Sequence, residues 1–114
     1  MCKSIAVTPF TVSVDRAGDT TVLRLSGELD LATVPELRSK AFAELERPEC
    51  ATLAFDLAEL AFLDSTGIGS WVEIRGRALN NGQRVVIRDV PDFVARVLEI
   101  GALTKLFVED ADQA

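Results

Sequence analysis

Leu60-Ala61-Phe62-Leu63-Asp64-Ser65-Thr66-Gly67-Ile68-Gly69 is the stretch on which the reading of this chain turns. A strongly apolar strand pattern ends just before it, at residues 52–57, and an apolar pattern of helical period begins just after it. Two hydroxyls, those of Ser65 and Thr66, therefore fall where the first turn of a helix starts. The leading N–H groups of a helix have no intrahelical partner, so this is a seat for an anion. A phosphate ester formed there has its charge solvated by amides and by the helix dipole. Asp64 stands immediately beside the two hydroxyls. That arrangement points to a switch more than to a catalyst. The plainer reading of the same spacing is that Asp64 or Ser65 caps the helix and Gly67 relieves packing.

On the N-terminal side, residues 50–57 read as a third strand. Ala51, Leu53, Phe55 and Leu57 share one face, and Ala54 on the other predicts burial on both sides. Before it, residues 10–14 and 20–27 read as a hairpin around a turn cluster at 15–19. A loop follows at 28–33. Thr33 is the expected N-cap of a first helix, with Pro35 in its first turn and Glu36 three residues on. That helix runs to about residue 46, with Leu37, Ala41, Phe42 and Leu45 on one face.

On the C-terminal side, a second helix is expected over residues 66–79. Ile68, Val72 and Leu79 form its apolar stripe, and Trp71 and Ile74 flank it. Asn80-Asn81-Gly82 supplies a left-handed stop. A fourth strand at 84–88, a helix from Pro91 to about residue 100 and a short strand at 103–108 complete the pattern. The order β-β-α-β-α-β-α-β predicts an α/β fold: a mixed sheet with helices packed on it. Residues 1–9 read as a lead-in, 10–108 as one domain and 109–114 as an acidic stub. Parallel pairing of the second and third strands brings the 28–33 loop and the 64–69 turn to one end of the sheet, where open α/β sheets place their sites.

Composition narrows the chemistry. A chain of 114 residues, 48% hydrophobic and 26% charged, builds one cored domain. The net charge is −6 and no Lys/Arg cluster is present, which argues against direct nucleic-acid binding. The chain has no His, which removes Ser-His-Asp and Cys-His catalysis, His-based metal sites and phosphohistidine relay. Cys2 and Cys50 form no C-x-x-C spacing; Cys50 reads as a buried free thiol. No apolar run approaches the roughly 18 residues of a membrane span, and no signal peptide is evident, so a cytoplasmic, membrane-free protein is expected. No cofactor and no metal are expected.

Two enzymatic look-alikes fail on detail. Aspartic proteases place Ser/Thr and then Gly directly after the Asp, and here an extra residue intervenes. Gly67-Ile68-Gly69 begins like a dinucleotide fingerprint, but Val72 stands where the third glycine is needed. In the 28–33 loop, Glu28 and Asp30 read as solvated and Leu29 as a core staple. Leu31 is apolar among polar neighbours, so it either turns inward onto the first helix or anchors a partner. Arg75, Arg77, Arg84 and Arg88 read as a solvated face rather than an anion site.

Three segments carry a resemblance. Gly27-Glu28-Leu29-Asp30, Phe62-Leu63-Asp64-Ser65-Thr66-Gly67-Ile68-Gly69 and Ile100-Gly101-Ala102-Leu103-Thr104-Lys105-Leu106-Phe107 are similar, in order, to the three signature segments of bacterial anti-sigma factor antagonists of the STAS (sulfate transporter and anti-sigma antagonist) family. The similarity spans about residues 10–108, and its specific part is the Asp-Ser-Thr-Gly turn. The resemblance implies a partner-switching regulator of transcription and not an enzyme. Its partners are an anti-sigma factor serine kinase, which it binds unphosphorylated, and a PP2C-type phosphatase, which resets it. Ser65 is the implied phosphoacceptor, with Thr66 the second choice. Glu28, Asp30, Leu31, Thr33, Asp64, Ser65, Thr66, Gly67 and Ile68 are the implied contact surface. The family pattern ends in one more amphipathic helix, for which residues 109–114 are too short, and a monomer or weak dimer is expected. Two other readings remain open: a STAS scaffold or sensor binding a small ligand or nucleotide without phosphorylation, and a small α/β enzyme with Asp64 as acid/base. A kinase assay separates the first from the switch. The second lacks His, a convergent second carboxylate and a cofactor motif.

Overall fold

A computed structural model describes residues 9–101, 103 and 107–109. In chain order the elements are β1 (Thr11–Ala17), β2 (Thr20–Leu29), α1 (Val34–Leu45), β3 (Thr52–Leu63), α2 (Ser65–Asn80), β4 (Arg84–Arg88), α3 (Asp92–Ile100) and β5 (Val108–Glu109). The sheet runs β1-β2-β3-β4-β5 in sequence order. β1 and β2 are antiparallel, and every later neighbour is parallel. The expected mixed α/β sheet is therefore the fold. Of the expected last strand at 103–108, Val108 belongs to β5 and Leu103 and Phe107 are not in strand, while residues 104–106 lie outside the described residues, as do residue 102, the lead-in at 1–8 and residues 110–114.

One face of the sheet buries Leu23, Leu25, Leu53, Phe55, Leu57, Val85 and Ile87 against Leu37 and Ala41 of α1, Trp71 and Ile74 of α2, and Val94 and Leu98 of α3. Among the described residues, the other face buries a small apolar patch, Val22, Ala54 and Val86. Ala54 is buried as expected, but among the described residues no helix lies over it.

Three local expectations are corrected. The hairpin turn is not the five-residue cluster at 15–19. β1 continues to Ala17, which pairs with Thr20, and only Gly18 and Asp19 turn. Gly18 adopts φ +62°, the left-handed conformation that a two-residue hairpin loop requires.

β3 does not stop at residue 57 but runs to Leu63, and β2 runs to Leu29. Beyond Asp56 the buried leucines Leu57, Leu60 and Leu63 are spaced by three, which no regular strand produces. The register explains them. Between Arg24 and Ser26 of β2, β3 advances from Asp56 to Glu59; between Gly27 and Glu28 it advances from Leu60 to Phe62. Each shift inserts one extra residue into β3 and resets which face its side chains meet.

The stripe assigned to α2 is rotated. Gly67, Ser70, Trp71, Ile74 and Ala78 are the buried residues, whereas Val72 is 39% and Leu79 50% exposed and Ile68 is half-buried. Spacings of three and four link both sets. Trp71 decides between them, because it packs on Phe55 of β3 with ring centroids 5.8 Å apart and on Phe107 at 6.0 Å. The helix ends as expected, with Gly82 at φ +75°.

Candidate functional site: a capped turn docked on two strand ends

The register sets the site. Leu29 pairs with Leu63 at the ends of β2 and β3, and the Asp64 amide donates to the Leu29 carbonyl at 3.3 Å. The loop leaving β2 and the turn leaving β3 therefore depart from one bonded pair. Asp64 is the N-cap of α2: its backbone is extended, and its Oδ1 accepts from the Gly67 amide at 3.0 Å. The Asp64 carbonyl then takes the first helical bond, from the Ile68 amide at 3.1 Å. Ser65 and Thr66 occupy the first two helical positions, whose amides have no helical acceptor. Ser65 is exposed and Thr66 half-buried, so the first hydroxyl is the more accessible.

Gly67 is buried beneath this turn. A Cβ built there meets Leu63 Cδ1 at 2.7 Å and Leu29 Cγ at 3.0 Å. With glycine the first turn of α2 sits this low on the two strand ends without displacing either leucine. The cap and packing readings of Asp64 and Gly67 thus both describe the molecule, and neither competes with an exposed Ser65.

The 28–33 loop closes on itself. Asp30 Oδ1 accepts from the amides of Ala32 at 3.0 Å and Thr33 at 3.2 Å. Thr33 is at the N-cap of α1 but its hydroxyl makes no cap bond, against expectation. It donates instead to the Glu28 carbonyl at 2.8 Å and accepts from the Asp30 amide at 2.9 Å. The reason is the backbone: Thr33 is in helical rather than extended conformation, so the hydroxyl faces back into the loop. Asp30 and Thr33 thereby hold the loop. Leu31, at its tip, is 74% exposed and does not turn inward; Glu28, three residues earlier, is exposed too.

Phe62, which sequence reasoning did not single out, is 45% exposed and pairs with Glu28 in register. Its exposure follows from the second register shift in β3, which alternation alone does not reveal. Leu31, Phe62 and the half-buried Ile68 give this end of the sheet an apolar character. An open cleft of about 520 Å³ lies at the opposite end, where α1 and α2 finish, lined among others by Leu45, Arg47, Cys50 and Gln83. It shares no residue with the Asp64–Gly69 turn. Cys50 is buried and unpaired there, as expected; Cys2 lies outside the described residues. No helix among the described residues is long and apolar enough to cross a membrane.

Residues 12–109 match the family model described as "Mlab, STAS domain". The chain belongs to the STAS domain family. Among curated STAS relatives, the anti-sigma F factor antagonist of Paenibacillus polymyxa is 33% identical over 86 residues, 75% of this chain and 73% of that protein. The anti-sigma-B factor antagonist of Staphylococcus aureus is 30% identical over 84 residues, 74% and 77% of the two chains. The fold of the anti-sigma factor antagonist SpoIIAA in its unphosphorylated form matches with a TM-score of 0.76 at 21% identity, over 90% of each chain. Its phosphorylated form, from Bacillus, matches at 0.70 and 20% identity, over 90% of this chain and 94% of that one. These two likenesses establish the STAS architecture.

Proposed function

We propose that this STAS protein is an anti-sigma factor antagonist, a regulator of transcription that works by binding and not by catalysis. It binds an anti-sigma serine kinase while Ser65 is unmodified. The kinase esterifies Ser65 with the γ-phosphoryl group of ATP, and the antagonist is released. A PP2C-type phosphatase hydrolyses the ester and resets the switch. The observation that carries this reading is the exposed Ser65 hydroxyl at the head of α2, with Asp64 capping Gly67 beside it. The named relatives, and the existence of SpoIIAA in phosphorylated and unphosphorylated forms, support it.

The physics of release needs no conformational change. Phosphate adds about −1.5 to −2 charges. In the free protein that charge meets water and the helix N-terminus. Under a bound partner it must be desolvated beside Asp64. A tenfold loss of affinity takes only about 1.4 kcal/mol, and an unpaired buried charge costs more than that.

The test is phosphorylation by the purified anti-sigma serine kinase of the same organism, with the modified residue mapped by mass spectrometry. Ser65 is expected as the single site. Ser65→Ala should stay bound in the presence of ATP, and Ser65→Glu should bind weakly. Phosphate found only on Thr66, or on neither hydroxyl, refutes the assignment.

A further inference from the structure

Ser70 is the odd member of the buried side of α2. Gly67, Trp71, Ile74 and Ala78 share that side and carry no hydroxyl. Ser70 is 4% exposed, and burying a hydroxyl costs free energy unless it is hydrogen-bonded. Its partner is local: Oγ donates to the Gly67 carbonyl at 2.6 Å, three residues back. A helical carbonyl ordinarily takes the amide four residues on, so this bond is an addition to the helix ladder and no part of it. Serine hydroxyls bonded to the preceding turn tend to bend a helix and slightly destabilise it. Alanine would fill the same place with no polar group to satisfy and with better helix propensity. Packing and helix stability therefore do not account for the hydroxyl.

Its partner does. Ser65-Thr66-Gly67-Ile68-Gly69 holds no strong helix former and two glycines, so by propensity it is the part of α2 that frays first. Gly67 is where this turn is held. Asp64 binds the two amides: Oδ1 accepts from Gly67 at 3.0 Å and the carbonyl accepts from Ile68 at 3.1 Å. The Gly67 carbonyl lies between those amides in the chain, and Ser70 binds it from the buried side. Three hydrogen bonds thus surround the residue type with the freest backbone. Resting on the function proposed above, we propose that Ser70 is a positioning residue for the phosphorylation of Ser65: its buried hydroxyl clamps the Gly67 carbonyl and keeps the first turn of α2 helical while the kinase acts on the exposed hydroxyl. Being buried, Ser70 meets neither the kinase nor ATP and acts only through Gly67. The gain is in rate, because misplacing a reacting atom by about 1 Å costs about a hundredfold.

Ser70→Ala tests this, because it removes the hydroxyl and little volume. The variant should melt at or above the wild-type temperature. Phosphorylation of Ser65 by the purified anti-sigma serine kinase of the same organism should nevertheless show kcat about tenfold lower, with KM within about twofold. By NMR, hydrogen exchange at the Gly67 and Ile68 amides should quicken about tenfold, while residues 74–78 exchange as in wild type. Ser70→Thr keeps the hydroxyl and should restore both rates. A merely structural serine would move the melting temperature and leave kcat alone. If Ser70→Ala is phosphorylated with wild-type kcat, Ser70 positions nothing: the proposal is overturned and the Ser65 switch stands. If kcat falls while exchange at Gly67 and Ile68 is unchanged, Ser70 does not hold the turn and the proposal is again overturned. A folded Ser70→Thr as slow as Ser70→Ala would overturn it too, and the Ser70→Ala measurements decide the question even where threonine does not fit. If wild type is not phosphorylated at Ser65, both the switch and the positioning role fall.

Discussion

The Asp64 carboxylate caps the Gly67 amide at 3.0 Å, and that one bond positions the serine lying between them in the chain. Asp64→Ala should lower stability by about 0.5–2 kcal/mol, the usual worth of such a cap. It should also slow phosphorylation of Ser65, because the first turn of α2 frays. Thermal melts and kinase assays measure the two effects separately. Normal phosphorylation of a destabilised variant would leave Asp64 a structural cap alone.

Gly67 tests how closely the turn must seat. Its added methyl falls 2.7 Å from Leu63 Cδ1 and 3.0 Å from Leu29 Cγ, so Gly67→Ala must either displace these leucine side chains or lift α2 from the strands. The expected loss is about 1–3 kcal/mol, in the range of overpacked cores. Urea unfolding measures it, and a wild-type midpoint would show that the leucines give way without cost.

Leu31 tests the loop tip. At 74% exposure it contributes little to the core, so Leu31→Arg should melt with wild type. If the tip meets the kinase, the same variant should lose binding, because the new charge is desolvated at an apolar contact. Full affinity in calorimetry would remove Leu31 from the contact surface.

Glu44 governs the acid limit of the fold. Its carboxylate is nearly buried and accepts from Arg16 Nε at 3.0 Å and Nη2 at 2.6 Å, from the Thr21 hydroxyl at 3.2 Å and from Arg47 at 3.3 Å. The Arg16 hydrogen bonds, more than any other contact, hold its pKa below the ordinary 4.5. A depressed folded-state pKa gives stability that is fully present above the unfolded value and is lost as pH falls through the folded one. Glu44→Gln should therefore be less stable than wild type by a constant margin at pH 6–8. The margin should shrink progressively below about pH 4.5. Denaturant midpoints across that range measure it, and a margin independent of pH would assign the loss to packing instead.

Much of this protein is written in local pattern. Alternation marked β1, β2 and the first half of β3; Gly82 and Pro91 marked a helix end and a helix start; and the order of elements implied parallel crossovers. The pairing of β2 with β3 followed from that order alone, and with it the meeting of the 28–33 loop and the Asp64 turn. Asp64, Ser65 and Gly67 were legible because a strand end, a cap residue, a hydroxyl and a glycine are local chemistry at fixed spacing.

What the tertiary structure decided is whatever depends on a partner strand or on direction. The two register shifts of β3 come from its fit to β2, so neither the length of β3 nor the exposure of Phe62 could be read from alternation. The buried side of α2 is chosen by Trp71 against Phe55, and the apolar periodicity fits either side. That choice turns Val72 and Leu79 outward with Ser65. Thr33 makes no capping bond because its backbone is helical, which turns its hydroxyl back to Asp30 and Glu28. A sequence lists side chains at their spacings, and only packing settles which neighbour each one meets.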